Sequence, residues 1–199
     1  MAVLQPALAA MNKFFEKLKN IRTFDMCGFT GFLSSGFYSR KAKVNLNVML
    51  DRLSHRGPDD TGNWLDTDAG IALGHRRLSV VDLSFAGHQP MESPCGRYIL
   101  VYNGEIYNHN ELREQLEAEG GAFNWRGNSD TETLLAALRH WGVDACLRKL
   151  NGMFAFALWD CVYQTLVLAR DRVGEKPIFF GHSGTSFLFG SELKAFTRF

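Results

Sequence analysis

Residues 154–159 ("FAFALW") and 165–169 ("TLVLA") carry apolar side chains on both faces of what read as short strands. Successive residues of a strand point to opposite sides, so such runs need cover above and below. That requirement excludes a one-sided meander and calls for layers stacked around sheets. Helical signals lie between the strand groups. Leu46, Met49, Leu50 and Leu53 form one apolar stripe at helical spacing. "NELREQLEAEG" reads as a helix closed by Gly120 and Gly121. "SDTETLLAALRHWG" opens with a Ser129/Glu132 capping box and closes at Gly142. The remaining strands are expected in "CGFTGFL", "GIALGHRRLSVVD", "RYILVYNGE", "FNWR", "PIFFG" and "SFLFG", with "HSGT" as a hairpin turn. The class is α+β.

A chain of 199 residues suits one domain, or one domain and a tail. Its 22 basic and 21 acidic residues nearly cancel, and no basic stripe with interleaved aromatics occurs. Nucleic acid is therefore not an expected partner. No apolar run reaches the roughly 20 residues that span a bilayer, so no membrane partner is expected either. Cys27, Cys95, Cys146 and Cys161 form no CxxC pair and no spaced His/Cys set, which argues against a metal site and for reduced cytoplasmic thiols. Residues 1–26 stand apart: Leu8, Met11, Phe15 and Leu18 at helical spacing among lysines read as a short amphipathic helix, unlike a secretory signal. A leader, a removed propeptide and a mis-called start all fit that segment.

Cys27 sits directly behind Met26 and is followed by Gly28. A free thiol has a pKa near ~8.5 and is a few per cent thiolate at neutral pH. Nucleophilic use needs a base. A cysteine at the first position carries one, its own α-amine with a pKa of about 7.7–8.0. An amide nitrogen cannot do this, so everything before Cys27 has to be removed.

Nine segments occur in order: "MCGFTGF", "LSHRGPDDTG", "GHRRLSVVDL", "GHQPM", "YNGEIYNHNELR", "NSDTETLLAAL", "LNGMFAFALWD", "LARDRVGEKPIFFG" and "GSELKAF". Together they resemble the class II (N-terminal nucleophile) glutamine amidotransferase domain of glutamine-hydrolysing asparagine synthetase, over all of residues 27–199. The resemblance implies a four-layer αββα sandwich of two mainly antiparallel sheets. It implies hydrolysis of L-glutamine through a cysteinyl thioester, with Cys27 as nucleophile and Asn103 and the Gly104 N–H as oxyanion donors. Arg77 would hold the substrate α-carboxylate, with Leu78, Ser79, Val80 and Val81 lining the pocket by their backbone. Glu105 and Asp130 would take the ammonium.

The glutaminase step needs no cofactor and no metal in this family. ATP and Mg belong to a synthetase domain, absent from this chain, that would accept the ammonia; a homodimer is a further expectation from the family. His55, Arg56, His75 and His88 read as scaffolding of the loops, since this chemistry needs no imidazole. Cys95, Cys146 and Cys161 read as structural. Asn103-Gly104 also has the composition of a tight turn, Arg77 that of a surface arginine at a strand end, and Asp130 that of a helix N-terminal charge. Two other functions stay open: a non-catalytic glutamine-sensing or docking module with a blocked Cys27, and an amidotransferase of a sugar or polysaccharide pathway. The chain ends inside the helical pattern of "SELKAFTRF", which reads as a fragment of a longer polypeptide.

Overall fold

In the computed structural model, residues 26–35, 39–78, 87–120, 123–197 and 199 are described. The amphipathic pattern of residues 1–25 lies outside them. The described residues form two antiparallel sheets. One has the order β2-β3-β1-β9-β8, built from β1 (Gly28–Ser34), β2 (Asp60–Asp66), β3 (Ile71–Arg77), β8 (Phe179–Ser183) and β9 (Ser186–Gly190). The other has the order β4-β5-β6-β7, from β4 (Met91–Glu92), β5 (Tyr98–Ile106), β6 (Gly152–Asp160) and β7 (Thr165–Arg170).

Three apolar clusters define the layers. Phe29, Ile71, Leu73 and Phe189 from the first sheet meet Ile99, Val101, Ala157 and Trp159 from the second. Helix α1 (Ser39–Asp51) packs Leu46, Met49 and Leu50 onto Phe32, Ala72 and Leu188 on the outer face of the first sheet. Helices α2 (His109–Ala118), α3 (Asp130–Trp141) and α4 (Val143–Lys149) cover the second sheet, where Leu112, Leu134 and Leu138 meet Leu100, Tyr102 and Phe156. The stacking is αββα, as the doubly apolar strands require. β6 is the central case: Phe154 to Asp160 are all buried, because one face meets the opposing sheet and the other the helices.

Several local expectations change. "TLVLA" forms the edge strand β7, partly exposed along its length and not covered on both faces, and "PIFFG" leads into another edge strand, β8, where Phe180 is 65% exposed. "FNWR" is not a strand; the Phe123 and Trp125 rings stack at 5.2 Å, and Arg113 lies over the Trp125 ring. The capping box is half formed. Ser129 caps α3 by accepting from the Thr131 N–H, whereas Glu132 accepts from the N–H groups of Arg126 and Gly127 and so organises the preceding loop. Helix α2 ends at Ala118, with Gly120 at φ +81° after it. "LKAF" makes one 3₁₀ turn.

Candidate active site

The first sheet positions the cysteine. Gly28 pairs with Arg76 across β1 and β3, and continuing that register by one residue sets Cys27 beside Arg77. The Leu78 N–H donates to the Cys27 Sγ at 3.3 Å. Arg56, 4% exposed, donates from Nε to the Cys27 carbonyl at 3.1 Å and from Nη1 to Glu192 at 2.7 Å. A Cβ on Gly28 would come within 2.8 Å of the Arg56 side chain, so the glycine after the cysteine makes room for this clamp. The sequence reading of Arg56 as loop scaffolding is too weak, because it fixes the backbone carbonyl of Cys27 itself. The "HRG" segment carried the signal: a buried arginine needs partners, and a carbonyl with a carboxylate supplies them.

Burial raises the Cys27 thiol pKa. The Leu78 N–H and the charges of Arg77 and Arg56 work against that rise without cancelling it. The thiol is therefore a weaker acid than an exposed one, and it needs a base. With Met26 attached, its own nitrogen is an amide.

The second sheet brings donors and carboxylates. Asn103 and Gly104 lie within strand β5, so the hairpin-turn alternative for that dipeptide falls. Asn103 is 3% exposed, and its Nδ2 has no partner among the described residues. An unsatisfied buried amide is costly, which points to a ligand as its partner. The Gly104 N–H follows from strand parity. The Tyr102 N–H donates to Gln89 Oε1 at 2.6 Å and the Ile106 N–H to Asp130 Oδ2 at 2.9 Å, both on the edge of β5 away from β6. Alternate residues share an edge, so the Gly104 N–H emerges between those two, toward the cavity it lines.

Asp130 begins α3, and its Oδ2 also accepts from the Tyr102 hydroxyl at 2.6 Å. That pairing leaves Oδ1 facing outward without a hydrogen bond among the described residues. Burial raises the Tyr102 pKa strongly and the Asp130 charge adds to it, so the phenol stays a donor.

These groups line a cavity of about 420 Å³ at the end of the sandwich where β1 starts and β5 stops. Cys27, Arg77, Asn103, Glu105 and Asp130 share its walls. Gly87 lies under the Arg77 guanidinium so closely that a Cβ there would strike Arg77 Nη2. Arg77 is buried, which removes the surface-arginine alternative. Leu78 lines the cavity, whereas Ser79, Val80 and Val81 lie outside the described residues. His75 is fully buried and joins the sheets, its Nε2 meeting the Tyr102 carbonyl at 3.0 Å; burial lowers its pKa to about 4, so the ring is neutral and donates. It is a sheet-to-sheet tie in the core, not a loop scaffold. Lys176, which sequence reasoning passed over, also faces the cavity.

A single wall with a cation and a facing wall with two carboxylates and unpaired donors suits a zwitterionic amino acid bearing a neutral amide. A family profile described as "Glutamine amidotransferase domain" matches residues 26–199. The chain belongs to the glutamine amidotransferase domain family. The amidotransferase domain is 45% identical over 172 residues to asparagine synthetase [glutamine-hydrolyzing] 3 of Bacillus subtilis, covering 85% of this chain and 27% of that protein. It is 43% identical over 176 residues to a putative asparagine synthetase [glutamine-hydrolyzing] of Mycobacterium tuberculosis, covering 81% and 26%. Amidase chry2 of Gibberella zeae is 37% identical over 183 residues, covering 87% and 27%. The chain thus spans about a quarter of the length of these curated relatives. Among solved structures, glutamine phosphoribosylpyrophosphate amidotransferase from B. subtilis superposes with a TM-score of 0.70 at 25% identity, over 85% of this chain and 43% of that one. The amidotransferase domain therefore has the N-terminal nucleophile type of sandwich.

Among its described residues no group of three or more His, Cys, Asp or Glu side chains is placed to hold a metal. No helix among them is long and apolar enough to cross a membrane. Cys27, Cys95, Cys146 and Cys161 are unpaired thiols, and only Cys27 reaches the cavity.

Proposed function

We propose that residues 27–199, with Cys27 at the amino terminus, hydrolyse the side-chain amide of L-glutamine and release ammonia to an ATP- and Mg-dependent synthetase region beyond this chain. The observation that supports this most is the unpartnered, buried Asn103 amide in the same cavity as the Cys27 thiol. The free α-amine takes the thiol proton. The sulfur lone pair forms the bond to the amide carbon, and the carbonyl oxygen becomes an oxyanion held by Asn103 Nδ2 and the Gly104 N–H. The C–N bond breaks, the amine returns its proton to the leaving nitrogen, and ammonia departs. Water then attacks the thioester, yielding glutamate and the free thiol.

Arg77, with the Leu78–Val81 backbone, takes the α-carboxylate, and Glu105 and Asp130 take the ammonium. Charge-assisted hydrogen bonds of this kind fix orientation as well as affinity. The glutaminase step requires no cofactor in this scheme. A homodimer and a cytoplasmic site of action complete the reading, the latter in keeping with the unpaired thiols. The test is to cut the folded chain ahead of Cys27, supply glutamine and measure glutamate. Glutamate is expected, together with loss of turnover on treatment with an electrophilic glutamine analogue that labels Cys27. A folded, cut protein that forms no glutamate, or labelling confined to another cysteine, overturns the reading.

A further inference from the structure

Lys176 is 3% exposed, faces the cavity and donates from Nζ to the Met26 Sδ at 2.6 Å. Among the described residues no carboxylate comes within 4.0 Å of that nitrogen. An ammonium taken out of water without an anion is costly, and burial lowers its pKa accordingly. The fold nonetheless holds it in place. Asp171 accepts from the N–H groups of Val173, Glu175, Lys176 and Phe154, which locks the loop after β7 onto β6. Burial opposes ionisation of Asp171, yet these donors outweigh it and keep the carboxyl below its ordinary range.

The partner of this ammonium is the side chain that directly precedes the nucleophile. Resting on the function proposed above, we infer that Lys176 is an electrostatic positioning residue: once Met26 is gone, its charge faces the new α-amine of Cys27 and keeps that amine unprotonated. Two cations in one small buried space repel, and the one that can release its proton near neutrality does so. The groups facing Lys176 are Glu175, Glu105 and Asp171, which attract it, and Arg56, which repels it and also holds the Cys27 carbonyl. Arg77 and Arg56 also act on the Cys27 thiol. Cations thus surround Cys27, a setting that favours a free amine and opposes, without cancelling, the burial that disfavours the thiolate.

The full chain is folded, cut ahead of Cys27 and assayed as wild type, Lys176→Met, Lys176→Gln and Lys176→Arg. In the two neutral variants the acid limb of kcat/KM for glutamine should move up by roughly one pH unit, with about tenfold lower kcat/KM at pH 7 and recovery by pH 9. Lys176→Arg should keep the wild-type limb. The pH midpoint of Cys27 alkylation by iodoacetamide, which needs no glutamine, should move with the kinetic limb. Should the neutral variants fail to fold by thermal melt, Glu175→Gln decides: loss of an attracting carboxylate should shift the alkylation midpoint down. An unmoved midpoint, a rise in KM alone, or an arginine variant that behaves like methionine overturns the inference. A wild-type protein that alkylates normally but makes no glutamate counts against the proposed function and leaves the alkylation comparison to judge Lys176.

Discussion

The two walls of the cavity come from different sheets and carry opposite equipment. The wall from the first sheet holds the Cys27 thiol and the Arg77 cation, with Arg56 behind it on the Cys27 carbonyl. The wall from the second holds Asn103, Gly104 and Glu105 on β5, with Asp130 anchored to that strand through Tyr102 and Ile106. Their polar groups are secured differently. Arg56, behind the first wall, donates to the Cys27 carbonyl and to Glu192, whereas Asn103 Nδ2 on the second has no partner among the described residues. Both walls offer groups to a ligand, a cation on the first and an amide donor with carboxylates on the second.

This division predicts that loss of the Cys27 thiol abolishes chemistry while substitutions on the second wall divide between chemistry and binding. Cys27→Ala should reduce glutamate formation to the uncatalysed background, and any residual turnover above it would break the assignment of the nucleophile. Asn103→Ala should lower kcat by about 100- to 1000-fold with little change in KM, the size measured when one oxyanion donor is removed. Steady-state kinetics separates that outcome from a mere loss of binding. Asp130→Asn removes a charge-assisted contact worth about 1.5–3 kcal/mol, so KM should rise roughly 10- to 100-fold while kcat falls less. A kcat effect larger than the KM effect would move Asp130 from the binding side of the comparison to the chemical side.

The tie between the sheets is read in stability instead of turnover. His75 is neutral in the fold, with its pKa lowered from 6.5 to about 4 by burial. The unfolded chain therefore binds more protons between those pH values, and stability present above pH 6.5 is lost as pH falls toward 4. The loss approaches about 3 kcal/mol. Denaturant titrations of His75→Gln should show a flatter pH dependence across that window than the wild type. Below it, Glu192 adds a second loss. Burial resists its ionisation, but Arg56, Lys194 and His55 hold its pKa at about 2 against an ordinary 4.5, so its contribution disappears as pH falls from 4.5 toward 2.

Much of this was legible because periodicity reports burial. "FAFALW" could only be a strand covered twice, and β6 is that strand. Leu46, Met49 and Leu50 could only be one helical face, and they pack on the first sheet. "TLVLA" misled for the same reason. Its apolar residues suggest cover, but as the edge strand β7 it is only partly buried, and edge or centre is decided by strand order. The capping box misled differently. Ser129 caps as its type demands, while Glu132 is drawn to the Arg126–Gly127 backbone by a loop whose path only the fold provides.

The site divides in the same way. Residue types marked the groups that the cavity collects: a cysteine behind a methionine, an Asn-Gly-Glu run, and an aspartate opening a helix. They did not disclose that Arg56 holds the Cys27 carbonyl, that His75 ties the sheets, or that Lys176 reaches Met26. Those contacts join residues 29, 27 and 150 positions apart, and nothing local in the chain encodes them.

By itself the amino-acid sequence determined which segments bury their side chains and which groups can attack, donate or carry charge, since both are properties of single residues and their spacing. Tertiary structure alone decided which of those groups meet. The register of β1 against β3 and the packing of the two sheets bring distant positions to one cavity, where burial shifts the thiol and the lysine, and bury the histidine between the sheets, where its pKa falls.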